Sequence, residues 1–218
     1  ASFPRAPNRL RDDNKDARMT TAQLEPVTAH DASGHLVPDG PLREALRLAV
    51  RVLDLVERRR RPVEMSQALG QVGRCYQALG DWSSADVYLR QALHWAEPLG
   101  AVDRRVELLC DLAEVNCAAG EQANDAAGDD HAGHEEYEQA ADLAFQAARL
   151  AALAADATWE VNVLVRAADV LDRCGEHEDA IHLQTRALTL ISQQGAQVGA
   201  LPLDDGAIHR LPTPRGVM

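Results

Sequence analysis

A recurrence with one fixed period constrains this chain more than any other feature. Gly80 recurs as Gly120, Ala45 as Ala85, and Ala140 as Ala180. The interval is the same in each case, about 40 residues, which is the mark of a repeat architecture. Gly120 to Gly175 is a longer interval, and it keeps the period if about 15 residues are inserted after Gly120. The clearest unit is Leu69 to Pro98, LGQVGRCYQALGDWSSADVYLRQALHWAEP. Gly73 and Ala85 are small where the two helices of a hairpin would cross, and Tyr76 and Leu89 are large enough to fill the space beside them. Gly80 falls where a left-handed C-cap is wanted, and Asp81, Ser83 and Ser84 can cap the helix that follows. One hairpin of this kind cannot bury its own apolar face, so the units must stack.

Leu69, Val72, Gly73 and Tyr76 follow the spacing of W-x2-L-G-x2-Y, and Ala85, Leu89, Ala92 and Pro98 come after them in order. This pattern resembles the tetratricopeptide repeat (TPR), a helix–turn–helix unit. The period is about 40 rather than the common 34, so each helix should be longer by about half a turn to one turn. In that respect the chain resembles the long repeats of kinesin light chains, of bacterial sensors of signalling peptides, and of arrays attached to bacterial transcription regulators. The resemblance implies an all-α fold, a right-handed α-α superhelix of about seven helices, with ligands held in a concave groove lined by the first helix of each unit.

The repeats divide the chain. Residues 1–39 contain four prolines and few large apolar side chains, and read as a flexible arm. The array should fill 40–195. It opens with a lone helix at 41–60, started by Pro41, and continues with hairpins at 64–100, 102–155 and 158–194. The extra residues fall in a Gly-, Asp- and Ala-rich acidic loop at 121–134. Residues 196–218 should be an extended tail. The run Arg58 to Arg61 suits the C-terminus of the lone helix, where cations are favoured. That helix is apolar nearly all round, and Ile181, Leu183, Leu188, Leu190 and Ile191 present apolar surface on the last one. Exposed apolar ends favour association, so a homodimer through the first or last helix is expected.

Composition narrows the partners. The net charge is −12, from 22 basic and 34 acidic residues, which disfavours nucleic acid. Between Val106 and Ala148 there is no Lys or Arg and there are 11 acids, so nearly the whole net charge is local to the second repeat. Such a field attracts a basic partner. No apolar run of about 18 residues is present and no membrane span is expected. The first residues lack the apolar core of a signal peptide, and a cytoplasmic location is expected. Cys75, Cys110, Cys117 and Cys174 form no C-x-x-C; inside first helices they should act as small buried apolar residues, with neither a disulfide framework nor a zinc site. His131, His134 and Glu135, beside Asp129 and Asp130, read as a surface loop rather than a metal site. The chain carries no G-x-S-x-G, H-E-x-x-H or phosphate-cradling glycine loop. No catalytic residue and no cofactor is therefore expected.

Repeat register places Gln67, Gly70, Gln71, Arg74 and Gln77 on the groove side of the first unit. The second offers Glu107, Cys110, Asp111, Glu114 and Cys117, and the third Asn162, Val165, Arg166, Asp169 and Arg173. Gln71, Arg74, Glu107, Asp111, Glu114, Asn162, Arg166, Asp169 and Arg173 are the candidate partner-binding set. Glu107, Asp111 and Glu114 share one helix face at i, i+4 and i+7. A clamp for a terminal carboxylate is not expected, because acids occupy the middle of the groove. The function implied is a protein-interaction scaffold that holds a basic peptide or helix. The alternative is a peptide- or ligand-sensing regulatory protein.

Overall fold

The computed structural model describes residues 40–129, 131–154 and 156–199, with the backbone alone for the last five. It is all-helical, and among the described residues there is no strand. The helices are α1 (Gly40–Glu57), α2 (Pro62–Ala78), α3 (Trp82–Ala96), α4 (Val102–Ala127), α5 (His134–Ala151), α6 (Ala157–Arg173) and α7 (His177–Gly199). A short 3-10 turn, Glu97–Leu99, follows α3. The expected arm at 1–39 and the tail from residue 200 onward lie outside the described residues.

Each helix packs against the next in the chain, and α4 also touches α2 and α6 directly. Contact of comparable extent does not link α3 to α5 or α5 to α7. Adjacent first helices therefore approach more closely than adjacent second helices. This ordering is compatible with a solenoid whose inner wall is α2, α4 and α6.

The small residues sit where the repeat pattern puts them. A Cβ built on Gly73 would meet Leu89 Cγ at 2.7 Å, so α2 and α3 cross closely only because Gly73 has no side chain. Ala85 and Leu89 are fully buried beneath this crossing. Tyr76 stacks on Tyr88 with ring centroids 5.4 Å apart. The equivalent small pairs, Ala113 with Ala140 and Ala168 with Ala180, are also buried. Asp81 caps α3 by accepting from the Ser84 N–H, and Asp156 caps α6 by accepting from Thr158 and Trp159.

Four boundaries differ from the sequence expectation. Helix α1 ends at Glu57, and Arg58–Arg60 form a turn in which Arg60 has a φ of 48°. Pro62 accordingly opens α2, two residues before the expected start of the first hairpin. Helix α7 continues through Gly199, past the expected start of the extended tail. The largest difference is at 121–134. Helix α4 runs on past Gly120 to Ala127, so roughly the first half of the expected acidic loop is helix. Glu, Gln and Ala are good helix formers, and the segment needs no apolar face because it is largely exposed. The true C-cap is Gly128, with a φ of 62°.

Gly120 serves close packing instead. A Cβ there would meet Gly133 O and the Tyr137 ring at 3.0 Å. Asn124 ties the same corner together: its Oδ1 accepts from the Gly133 N–H at 2.7 Å and its amide donates to the Tyr137 hydroxyl at 3.4 Å.

Candidate binding groove on the inner helix face

The candidate site is built on α2, α4 and α6. Positions 71, 111 and 166 are equivalent by repeat, as are 74, 114 and 169. The two rows read Gln71–Asp111–Arg166 and Arg74–Glu114–Asp169, so each outer helix brings one arginine to the acids of the middle one. Arg74 Nη1 donates to Asp111 Oδ2 at 3.0 Å from one side. From the other, Arg166 Nη2 donates to Asp111 Oδ1 at 2.9 Å and Arg166 Nε to Glu114 Oε1 at 2.8 Å. Gln77 completes Glu114 by donating to Oε2 at 3.3 Å. Four of the nine candidate residues thus form one network across three helices.

Asp111 is buried, and the arginines that hold it retain about a third of their exposure, 36% and 37%. Burial works against the charge on Arg166, but its hydrogen bonds to Glu114 and Asp111 outweigh that and hold its proton more firmly. Arg173 extends the network one step along the groove. It grips Glu121 bidentately, at 2.8 and 2.9 Å, and these bonds raise its proton affinity against the cost of burial. Asp169 lies 3.7 Å from the same guanidinium.

At the other end Arg104 lies across α2. Its Nη2 donates to the Ser66 carbonyl at 3.1 Å, and its Nη1 to Glu107 at 3.0 Å. Gly70 makes this possible, because a Cβ there would collide with the Arg104 guanidinium. Arg104 and Glu121 were not among the sequence candidates. Glu121 is two helical turns beyond Glu114 and continues its helix face; ending the helix at Gly120 hid it. Arg104 precedes the acidic block; its i,i+3 partner Glu107 was legible in sequence, but its reach to the Ser66 carbonyl on α2 was not.

The remaining candidates stand outside the ladder. Gln71, Asn162 and Val165 are not buried, and Gln71 reaches only the Cys75 sulfur, at 3.9 Å. Glu107 and Asp169 are the more exposed acids, with side chains 50% and 69% accessible. The groove carboxylates are therefore answered by arginines of the same wall. The other described acids of the block, Asp125, Asp129, Glu135, Glu136, Glu138 and Asp142, sit on the α4–α5 hairpin outside this network. Glu135 and Glu136 lie in the first turn of α5, where the helix dipole favours them.

The cysteines separate into two kinds. Burial pushes the Cys110 thiol up to about 12, and it also raises Cys75. Cys117 and Cys174 instead shift each other: the Cys174 thiol and the Arg173 guanidinium lower the proton affinity of Cys117 against burial, whereas Cys117 and burial raise that of Cys174. Cys174 is the C-cap of α6 and half-buried, not a buried residue inside that helix. Among the described residues, no three His, Cys, Asp or Glu side chains converge as a metal site, and no helix is long and apolar enough to cross a membrane. His131 and Glu135 are exposed, and Asp130 lies outside the described residues.

The end helices carry the apolar surface expected of them. Leu48, Val52 and Leu55 form an exposed stripe on α1, and Ile181, Leu188 and Ile191 are exposed on α7, whereas Leu183 and Leu190 are half-buried against the core. The fold is an all-α array of helical hairpins in which arginines and carboxylates pair across α2, α4 and α6. Compared with known proteins, the chain matches no family model and no curated protein.

Proposed function

We propose that the chain is a TPR-like protein-interaction scaffold whose inner wall holds a short peptide or helix, with a basic segment as the favoured guest. The observation that carries this reading is the ladder joining Arg74, Asp111, Arg166 and Glu114 across α2, α4 and α6. It fixes three helices at one spacing and presents Gln71, Glu107, Asn162 and Asp169 from a pre-formed surface. A surface ordered before binding loses little entropy when it binds. The preference for a basic guest rests on the net charge of −12 and on the two exposed acids, because Asp111 and Glu114 are already paired.

The test is selection of a random peptide library on the full chain, followed by titration of the enriched peptides. Basic peptides should be enriched, and Glu107→Arg/Asp169→Arg should weaken them at least about tenfold, with helicity unchanged. Enrichment of nothing, or binding indifferent to both reversals, rejects the groove. A competing reading is self-association, favoured by the Leu48, Val52 and Leu55 stripe. Light scattering decides it: a dimer mass abolished by Leu48→Glu/Val52→Glu supports it, and a monomer at tens of micromolar removes it.

A further inference from the structure

We propose that residues 22–39, which lie outside the described residues, dock on α1 as the first helix of a further hairpin and cover its exposed stripe. The stripe is the side of α1 that a hairpin partner buries. Ala45, Leu48, Val52 and Leu55 stand one period before Ala85, Tyr88, Ala92 and Trp95 of α3. The same places are held by Ala140, Leu143, Ala147 and Leu150 on α5, and by Ala180, Leu183, Ala187 and Leu190 on α7. Each of those three helices packs on the first helix of its own unit, and all of these residues are buried or half-buried. On α1 all four are exposed, Leu48 and Val52 at 51% and Leu55 at 61%. Among the described residues, α1 is thus a second helix without its first.

Register, length and charge select the segment that fits. Residues 22–39 precede 62–79 by one period, and Ala29, Ala32, Ser33 and Leu36 take the places of Leu69, Val72, Gly73 and Tyr76. Volume is exchanged between the two sides. Gly73 admits Leu89, whereas Ala49 stands at the place of Leu89 and leaves room for Ser33. Likewise Val52 is larger than its counterpart Ala92, and Ala32 is smaller than Val72. Pro26 suits a first helical position, and a helix from Pro26 to Leu36 is about 16 Å long, against about 15 Å from Ala45 to Leu55. Pro38 ends it, and Asp39 stands directly before α1, where an N-cap is wanted. So short a connection lays the segment antiparallel on α1. Residues 22–39 carry Glu25, Asp31 and Asp39 and no Lys or Arg, whereas residues 40–61 carry seven arginines against three acids. The opposed charges draw the two together. Gly34 weakens the helix, and three turns are marginal in isolation, so the segment is helical only while docked.

Docking adds a fourth helix to the inner wall, with Asp31 at the place of Gln71 and Asp111, and closes the stripe to a second copy. It does not depend on what the groove binds. The experiment is hydrogen–deuterium exchange of the full chain, read by peptide mass spectrometry at a concentration where light scattering gives a monomer. Amides of residues 27–36 should exchange at least about tenfold more slowly than in the chain unfolded in urea. Leu48→Glu/Val52→Glu, at exposed positions of α1, should restore fast exchange there while α2 to α6 stay protected. Leu36→Glu should do the same without touching α1. Fast exchange of 27–36 in the wild-type monomer overturns the proposal, as does protection that survives these variants. Protection seen only in a dimer assigns the stripe to a second copy and overturns it as well.

Discussion

The α2–α3 crossing and the α4–α6 seam solve the same problem in opposite ways. Both must hold two helices at close range. At α2–α3 the solution is apolar, with Gly73 yielding its side-chain volume to Leu89. At α4–α6 it is electrostatic, with Arg166 and Arg173 reaching across to Asp111, Glu114 and Glu121. The first contact joins the two helices of one repeat, and the second joins neighbouring repeats. Shape therefore fixes the hairpin, while charge fixes the spacing of the inner wall. Substitutions should act accordingly. Volume changes should damage the hairpin, and charge changes should loosen the wall that the proposed partner touches.

The most damaging change should be Gly73→Val. Its methyls would be forced into the buried Leu89 side chain, at a cost of about 3 kcal/mol in urea denaturation. Gly73→Ala separates two opposing terms. Alanine gains roughly 0.8–1 kcal/mol of helix propensity, but its Cβ would meet Leu89 Cγ at 2.7 Å. Steric crowding should win, leaving a net loss. The double variant Gly73→Ala/Leu89→Ala should then be more stable than the sum of the single losses predicts. Strict additivity would show that Gly73 is not there to admit Leu89.

Next in size is Asp111→Ala, which leaves Arg74 and Arg166 facing each other across an empty place. Breaking a buried pair costs about 3–5 kcal/mol, but water reaches both guanidiniums, so about 2 kcal/mol is expected. The triple change Arg74→Met/Asp111→Leu/Arg166→Met, which removes all three charges at once, should recover much of this loss. A triple variant as unstable as Asp111→Ala would mean that the position needs polarity itself.

The same two regions show what was legible in the sequence. Gly73 and Ala85 were readable because small residues at a helix crossing recur with the repeat period. The sharing of one face by Glu107, Asp111 and Glu114 was readable from helical geometry, and so was their position between Arg74 and Arg166. That the acids are already paired with those arginines was not, because long side chains reach several ångströms and sequence gives no rotamers. Glu121 was lost to an ambiguity in glycine. Gly120 fits either a left-handed cap or a close approach, and only its packing on Gly133 and Tyr137 decides between them.

The subtlest expectation is a pH dependence, and it divides the α4–α6 seam itself. Cys110 and Cys117 both lie on α4, yet their environments act oppositely. Burial raises Cys110 from 9.0 to about 12, whereas Cys174 and Arg173 lower Cys117 despite burial. Cys110 thus contributes stability that is fully present below the unfolded-state value of 9.0 and lost as pH rises toward 12. Cys117 contributes in the other direction: its share is present above the unfolded value and lost as pH falls through its lowered folded value. At pH 9 the Cys110 share should have fallen by about 0.4 kcal/mol, the consequence of half-titrating the unfolded thiol. Urea denaturation of wild type and Cys110→Ala in reductant, at constant ionic strength, isolates that share. The advantage of wild type over Cys110→Ala should shrink between pH 7 and pH 9 and continue to shrink above it. An advantage that grows over this range would mean that Cys110 ionises more easily in the folded chain than in the unfolded one, and that the centre of the seam is wetter than its packing implies.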